Sequence, residues 1–513
     1  MPKIKVNGQE LETAPGKKLL DVLESTGTHV PHFCWHPGLP PHGNCRMCLV
    51  KVSTSRKLEV ACMTNCTEGL EVTTESPEIS EARKQVMEYL LINHPLDCPI
   101  CDKAGECMLQ DQTYSYRHGL SRFTEDKVIK DTKDLGPTVR IWGNRCISCT
   151  RCVRFTEEVS GAGELSLVNR GDHSQADVHP DVPLDNPMSL NVVDICPVGA
   201  LIDKSFLFQA RVWFADRPQS TCTGCSRGCS ITGTVYKGEL KRIQPRLNPD
   251  VNGYWMCDAG RLNNGYLTSS SRLAQGRGSL AEVVAALKAA PKGRVGLLAS
   301  TGATLEELHL VKQLATAVDA KVGFLTKTVG TRWVSKSGFA IETDKTPNTK
   351  GASLLFGGTP DHRVVTDAAK RGELDVLVVI NNIPDFTWPE DVVAAAGKVG
   401  FLAVADLLDG PLVAKAKFLH ASAAAAERMG TVMNRDGRIG LLKRLIAPPG
   451  GAAPDIGWLQ DVLVSFGARR ASISAEGVFK EAFPGLDYGK VGPLGTNLPL
   501  SASSASGPQP EAK

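Results

Sequence analysis

Period-two alternation of apolar and polar residues opens the chain, in the segments KIKV and QELE on either side of Asn7-Gly8, and predicts a hairpin. A short helix is expected over Lys18 to Glu24, followed by a long loop and the strand-like run LEVACMT. Further on, TGTVYKGELKRIQP alternates again and predicts a strand-turn-strand unit with its turn at Lys237-Gly238. Beyond residue 270 the pattern changes. Alanine becomes frequent, and short continuous apolar runs (GRVGLLAS, KVGFLT, DVLVVI, FLAVAD) are separated by helical stretches, one of them opened by a capping box from Thr304 to Glu307. Runs of that kind suit strands buried on both faces, so an α/β layered domain with a parallel sheet is predicted there.

No apolar run reaches the roughly 18 to 20 residues that cross a bilayer, and stretches such as Leu374 to Ile380 have the length of buried strands. The N-terminal MPKIKVNGQELETAPG lacks the basic-then-apolar pattern of a signal peptide, so the mature protein is expected to start there. With 513 residues the length suggests several domains. A net charge of +3, from 58 basic and 55 acidic residues, gives no global field for nucleic acid or anionic lipid. Partners are therefore expected to be recognised by local surface.

Cysteine usage carries the candidate chemistry. Sixteen cysteines are too few for a disulfide scaffold at this length, and without an export signal the thiols are expected to stay reduced and free to bind metal. They fall into four groups. Cys34, Cys45, Cys48 and Cys62 suit a 2Fe-2S cluster, with Gly38 and Gly43 loosening the loop. Cys98, Cys101 and Cys107, in HPLDCPICDKAGEC, are one ligand short, and His94 is the nearest candidate for the vacancy.

Cys146, Cys149 and Cys152 on a pitch of three, with a distant Cys196 followed by Pro, form the bacterial-ferredoxin signature of a 4Fe-4S cubane. The region Thr156 to Val193 reads as an insertion in place of a second compact set. Cys222, Cys225, Cys229 and Cys257 form the last set, for which a zinc ribbon is an equal reading in isolation. Cys66 has no vacancy to fill and is expected to be a buried thiol, while His32, His36 and His42 are expected on the loop surface. A neutral imidazole in place of a thiolate is expected to raise the potential of the second centre.

In this order, HPLDCPICDKAGECMLQD, RCISCTRCVRF and NVVDICPVGAL resemble the large iron-sulfur subunit of respiratory complex I (NADH:quinone oxidoreductase), from residue 1 to about 265. CTGCSRGC with WMCDAGR resembles the extra cluster of some bacterial versions and the cluster domain of molybdopterin oxidoreductases; ERMGTVMNRDGRIG carries a weaker likeness to their α/β domain.

The resemblance implies a multidomain α+β and α/β chain. Its parts would be a β-grasp 2Fe-2S domain (1–78), a 4Fe-4S segment with one His and three Cys ligands (79–120), a ferredoxin-like 4Fe-4S domain (135–210) and a molybdopterin-oxidoreductase-type 4Fe-4S domain (215–270). A truncated molybdopterin-oxidoreductase-like α/β domain (271–500) and a disordered tail (501–513) would follow.

The implied cofactors are one 2Fe-2S and three 4Fe-4S clusters on the sixteen residues named, with no catalytic residue. No molybdenum is expected, since Ala259 stands where molybdopterin enzymes carry a Lys beside the cluster. Electrons would pass from an FMN- and NADH-binding flavoprotein subunit towards a quinone-side iron-sulfur subunit. Nucleic acid is not an expected partner. The complex would lie peripherally on the cytoplasmic face of the inner membrane, or the matrix face in an organelle. An iron-sulfur subunit of a formate dehydrogenase or hydrogenase, and a zinc-holding scaffold without redox activity, are the alternatives.

Overall fold

The computed structural model describes residues 1–116, 121–469 and 474–498. The expected tail 501–513 lies outside the described residues. The chain divides into two compact units, Met1–Ala215 with Val334–Phe339, and Asp216–Trp333 with the residues from Ala340 onward.

In the first unit, Lys3–Val6 and Gln9–Glu12 form the predicted hairpin, with Val6 opposite Gln9. Asn7 and Gly8 both take left-handed φ values, 47° and 86°, as a two-residue turn matching the strand twist requires. Lys3–Val6 also pairs in parallel with Glu71–Thr73, which continues to Leu49–Val52 and Glu59–Val60 in a mixed five-stranded sheet. The helix Leu19–Ser25 contributes Leu19, Leu20 and Leu23 to the same core as Ile4, Val50 and Val72. The run LEVACMT is strand only over Glu59–Val60; beyond it the chain turns, with Met63 N–H bonded to Val60 O at 2.9 Å, so Cys62 sits in a turn and not on a strand.

Ser76 caps the long helix Pro77–Leu91, accepting from Ile79 N, with Pro77 at the first turn where no N–H is needed. The helix ends just before His94. Lys127 Nζ donates to the carbonyls of Leu91, Ile92 and His94 at 3.1, 2.6 and 3.0 Å, a cation placed on the helix's free acceptors. The ferredoxin-like part has a three-stranded sheet, Leu201–Asp203, Val139–Trp142 and Thr132–Asp134. The stretch expected as an insertion holds a π-helical turn, Phe155–Ser160, and a hairpin, Leu165–Val168 with Gln175–Val178.

In the second unit, Gln219–Thr221, Ser230–Tyr236 and Glu239–Pro245 form an antiparallel sheet, turning at Lys237 and Gly238 as predicted. The apolar runs become a five-stranded all-parallel sheet in the order Lys321–Leu325, Val295–Ser300, Val376–Ile380, Phe401–Asp406, Phe418–Ala421. Its strands are buried on both faces. Leu297 and Val378 belong to one core and Leu298 and Val379 to another, which is why these strands are apolar throughout. Thr304 and Glu307 form the predicted capping box.

Candidate functional site

Each donor set is brought together by a different local device. In the first, Cys34, Cys48 and Cys62 are buried and Cys45 is half-buried, and the loop turns through Gly43 at φ +73° and Arg46 at φ 58°. Thiol contacts link Cys45 to Cys34, Cys34 to Cys62 and Cys62 to Cys48, so all four sulfurs converge. The Cys34 amide points at Cys45 Sγ, 3.4 Å away. Hydrogen bonds from Cys45 and Cys62 hold the Cys34 thiol far down, whereas Cys45 and Cys62 are driven up by the same contacts. Cys48 is likewise held down by the Cys62 thiol, so the set divides into two thiols favoured as thiolates and two held protonated unless a cationic core lies among them.

In the second set Cys101 is buried, Cys107 half-buried and Cys98 exposed; Cys101 has Cys98 as a charge neighbour, and Cys107 has Cys101. His94 Nδ1 is enclosed and has no hydrogen-bond partner. Burial, with Lys127 and Arg145 nearby, pushes its imidazole down to about 4, which keeps it in the neutral form that ligates metal. Arg145 is a charged neighbour of both His94 and Cys101. A β-carbon on Gly199 would collide with Cys101 Sγ, so the absence of a side chain there makes room for that sulfur. A buried imidazole nitrogen without a hydrogen-bond partner, sharing Arg145 as a charged neighbour with Cys101, is of the donor type that a four-ligand set with one imidazole needs.

In the third set Cys146 is half-buried and Cys149, Cys152 and Cys196 are buried; the four are mutual charge neighbours and line one apolar pocket with Ile141, Val198 and Leu201. Ser148 and Thr150 take left-handed φ values of 51° and 62°, uncommon for non-glycine residues and in keeping with backbone strain held at a site. That bend aims the Ser148 amide at Cys146 Sγ at 3.4 Å. Burial among like groups pushes the Cys149 thiol up to about 12.

The fourth set lies in the second unit, with all four thiols buried. The Gly224 amide approaches Cys222 Sγ and the Gly260 amide Cys257 Sγ, each at 3.4 Å, and Cys222 N–H closes the loop on Cys229 O at 2.7 Å. Burial raises Cys222 to about 12 and Cys257 to about 11. Cys222, Cys225, Cys257 and Ala259 line a cavity of about 500 Å³. Among the described residues, no group of three His, Cys, Asp or Glu side chains is placed to hold a single metal ion. Amides aimed at sulfur in the first, third and fourth sets, and thiols that burial keeps from ionising without a cation in the third and fourth, fit iron-sulfur cores there.

Cys66 is buried as expected, raised by burial, with Asp21 as its charged neighbour. His42 is exposed, as expected. His32 is not: it is buried, bonded through Nδ1 to Val30 O at 2.8 Å and edge-on to Trp35, because the loop folds inward under Gln112, whose Nε2 donates to His32 O at 3.0 Å. His36 is half-buried and accepts from Gly38 N at 3.1 Å.

Sequence reasoning overlooked three buried arginines around the third set, Arg145, Arg151 and Arg154. Arg145 pairs with Asp97 at 2.9 Å and stacks on Trp142. Arg151 donates to Ile195 O at 3.0 Å and Trp35 O at 2.5 Å. Their signal was available: each falls one or two residues from a ligand in RCISCTRCVRF, where a solvated arginine has no evident reason to recur.

Four family models match in chain order: a 2Fe-2S iron-sulfur cluster binding domain over 2–77, the NADH-ubiquinone oxidoreductase-G iron-sulfur binding region over 83–122, the NADH-quinone oxidoreductase subunit 3 ferredoxin-like domain over 136–202, and the molybdopterin oxidoreductase Fe4S4 domain over 217–268. Among curated proteins, the G subunit of NADH-quinone oxidoreductase from Rickettsia felis is 36% identical over 326 residues, 61% of this chain and 49% of that protein. Its counterpart in Rickettsia conorii matches to the same extent. The chain thus spans about half the length of the curated relatives it matches. A solved chain of NAD+-reducing [NiFe]-hydrogenase in the H2-reduced state is 28% identical, covering 41% of this chain and 91% of that one at a TM-score of 0.38, too loose a superposition to speak for a common fold.

Proposed function

We propose that this chain is the large iron-sulfur electron-transfer subunit of an NADH-quinone oxidoreductase, and relays electrons from a flavoprotein subunit towards quinone. The observation that carries the reading is the run of four donor sets, each on a segment matched by an iron-sulfur family model. Iron-sulfur clusters, when bound, supply one-electron transfer without making or breaking substrate bonds.

The chain's own residues hold and insulate those groups. Cys34, Cys45, Cys48 and Cys62 would hold the 2Fe-2S cluster. His94 with Cys98, Cys101 and Cys107, then Cys146, Cys149, Cys152 and Cys196, then Cys222, Cys225, Cys229 and Cys257 would hold three 4Fe-4S clusters. The amides of Cys34, Ser148, Gly224 and Gly260 donate towards sulfur, which favours the charge that builds up there on reduction.

Partners follow the same reading. Cys98 is exposed, and Phe208, Trp213 and Phe214 are exposed on the segment whose Arg211 donates to Cys101 O at 2.6 Å. That apolar rim supports docking by another subunit, the quinone-side iron-sulfur protein, beside the second set. No helix among the described residues is long and apolar enough to cross a membrane. A peripheral place on the cytoplasmic face, or the matrix face in an organelle, accords with that. Residues 271–500 serve as an α/β scaffold without molybdenum, with small Ala259 on the wall of the fourth set's cavity.

Anaerobically prepared chain is expected to carry about 14 irons with matching acid-labile sulfide. Dithionite should reduce it and NADH alone should not, until a flavin-bearing NADH-oxidising partner is added. About 10 irons with one zinc would make the fourth set a zinc ribbon. Formate oxidation by the chain alone, with molybdenum present, would replace the reading.

A further inference from the structure

We propose that Arg154 is a shared counter-cation for the Cys34–Cys62 and Cys146–Cys196 centres, raising the reduction potentials of both; the inference rests on the iron-sulfur reading above. Arg154 is buried, and its guanidinium is held by backbone from both sites. Nη2 donates to Cys34 O and, at 3.4 Å, to Cys149 O; Nη1 donates to Pro40 O, and Nε meets Thr150 Oγ1 at 3.2 Å. Among the described residues no carboxylate lies within ion-pair distance of it. Its strongest charge neighbours are instead Cys34, Cys149, Cys152 and Cys62, two ligands from each set, with the like-charged Arg151 also near.

An arginine cannot shed its proton to escape burial, and a buried cation with no anion beside it is costly. Four carbonyl and hydroxyl oxygens orient this one without neutralising it. Thiolate-ligated iron centres on either side supply the missing negative charge, so the cation belongs with the loaded protein. Each added electron makes a centre more negative, and a positive charge fixed beside it favours the reduced form. Because one guanidinium serves two centres, the effect falls on both together. The second set is the internal control, since the strongest charge neighbours of Arg154 all belong to the other two sets.

Neighbouring Arg151 does not duplicate this role. Its guanidinium ties Trp35 O to Ile195 O and rests near Met108 Sδ at 3.7 Å, and its nearest thiols are Cys149 and Cys196 of one set, with Cys34 more weakly felt. Removing Arg154 is therefore the cleaner test of a charge common to two sets.

The experiment is redox-poised EPR of the full chain carrying Arg154→Gln or Arg154→Lys, after iron and sulfide analysis of each. Dithionite is the reductant, and each oxidised centre takes up one electron to give its reduced form. Arg154→Gln is expected to lower the midpoints of the 2Fe-2S centre and of the Cys146–Cys196 cubane while leaving the His94 cubane where it was. Arg154→Lys keeps the charge but loses the fork, and both midpoints should stay near those of the unaltered chain. The proposal is overturned if a fully loaded Gln variant leaves either midpoint unmoved, or if all three fall together. Should the Gln variant fail to load, the Lys variant decides: a fall in both midpoints there overturns the proposal. Unaltered chain without iron would instead sink the iron-sulfur reading itself, so the two failures are distinct.

Discussion

Gly199 stands so close to Cys101 that a β-carbon on it would collide with the Cys101 sulfur. The two come from distant parts of the sequence, Cys101 from the second donor set and Gly199 from the turn after Cys196, so the third set's backbone forms a wall of the second. Gly199 does not have a left-handed φ, and a side chain there is excluded by contact alone. Gly199→Ala is expected to displace Cys101 and cost the chain about 4 irons, with loss of the second set's EPR signal and retention of the others. Full iron content in that variant would show that Cys101 has room to move.

His94→Cys is expected to keep a 4Fe-4S cluster and lower its potential, because an anionic ligand in place of a neutral one disfavours the added electron. The imidazole's orphaned Nδ1 is the structural motive. Redox-poised EPR reads the outcome, and an unchanged potential would mean that His94 is no ligand.

Cys66→Ala should leave every cluster signal in place. The thiol is buried among apolar side chains of the first core, with Asp21 and no other cysteine among its charged neighbours. The expected cost is confined to packing, about 1 kcal/mol for a side chain of this size. Loss of any cluster would reopen both the place of Cys66 and that of His94, since the sets are complete only when His94 is counted.

What was legible in the sequence was what is decided locally. Asn7-Gly8 and Lys237-Gly238 dictate tight turns, the runs around Leu297 and Val378 leave no polar face and so demand a sheet covered on both sides, and closely pitched cysteines can bend one loop around one core. Cys196 and Cys257 could be named as candidates from the Cys-Pro pattern and the segment WMCDAGR. His32 was not, since its burial depends on Gln112 closing over the loop from a helix far along the chain. Nor were the roles of Arg151 and Arg154, whose partners Trp35 O and Cys34 O lie more than a hundred residues away. Spacing names candidate ligands; it is silent on the groups that surround them from another segment.

Glu306 offers a test of the second unit that is independent of iron. It is fully buried and accepts from Thr431 N and Thr431 Oγ1, each at 2.9 Å, and from Tyr488 OH at 2.8 Å. Burial outweighs those donors and raises the carboxyl to about 7. In the unfolded chain a glutamate titrates near 4.3, so between roughly pH 4.3 and 7 the folded state holds a proton that the unfolded state has released. Stability from this group is therefore full below about pH 4.3 and declines as pH rises to about 7, by a few kcal/mol in total. Asp406, also raised to about 7 by burial, adds a slope of the same sign. Glu306→Gln can keep its oxygen as the acceptor for Thr431 N, while its amide takes the place of Oε1 and donates to the hydroxyl oxygens of Thr431 and Tyr488, and it cannot ionise. Unfolding midpoints from about pH 5.5 to 7.5 should fall with pH more steeply for the unaltered chain than for the variant. Parallel profiles would show that Glu306 is already ionised across that range, its three donors prevailing over burial.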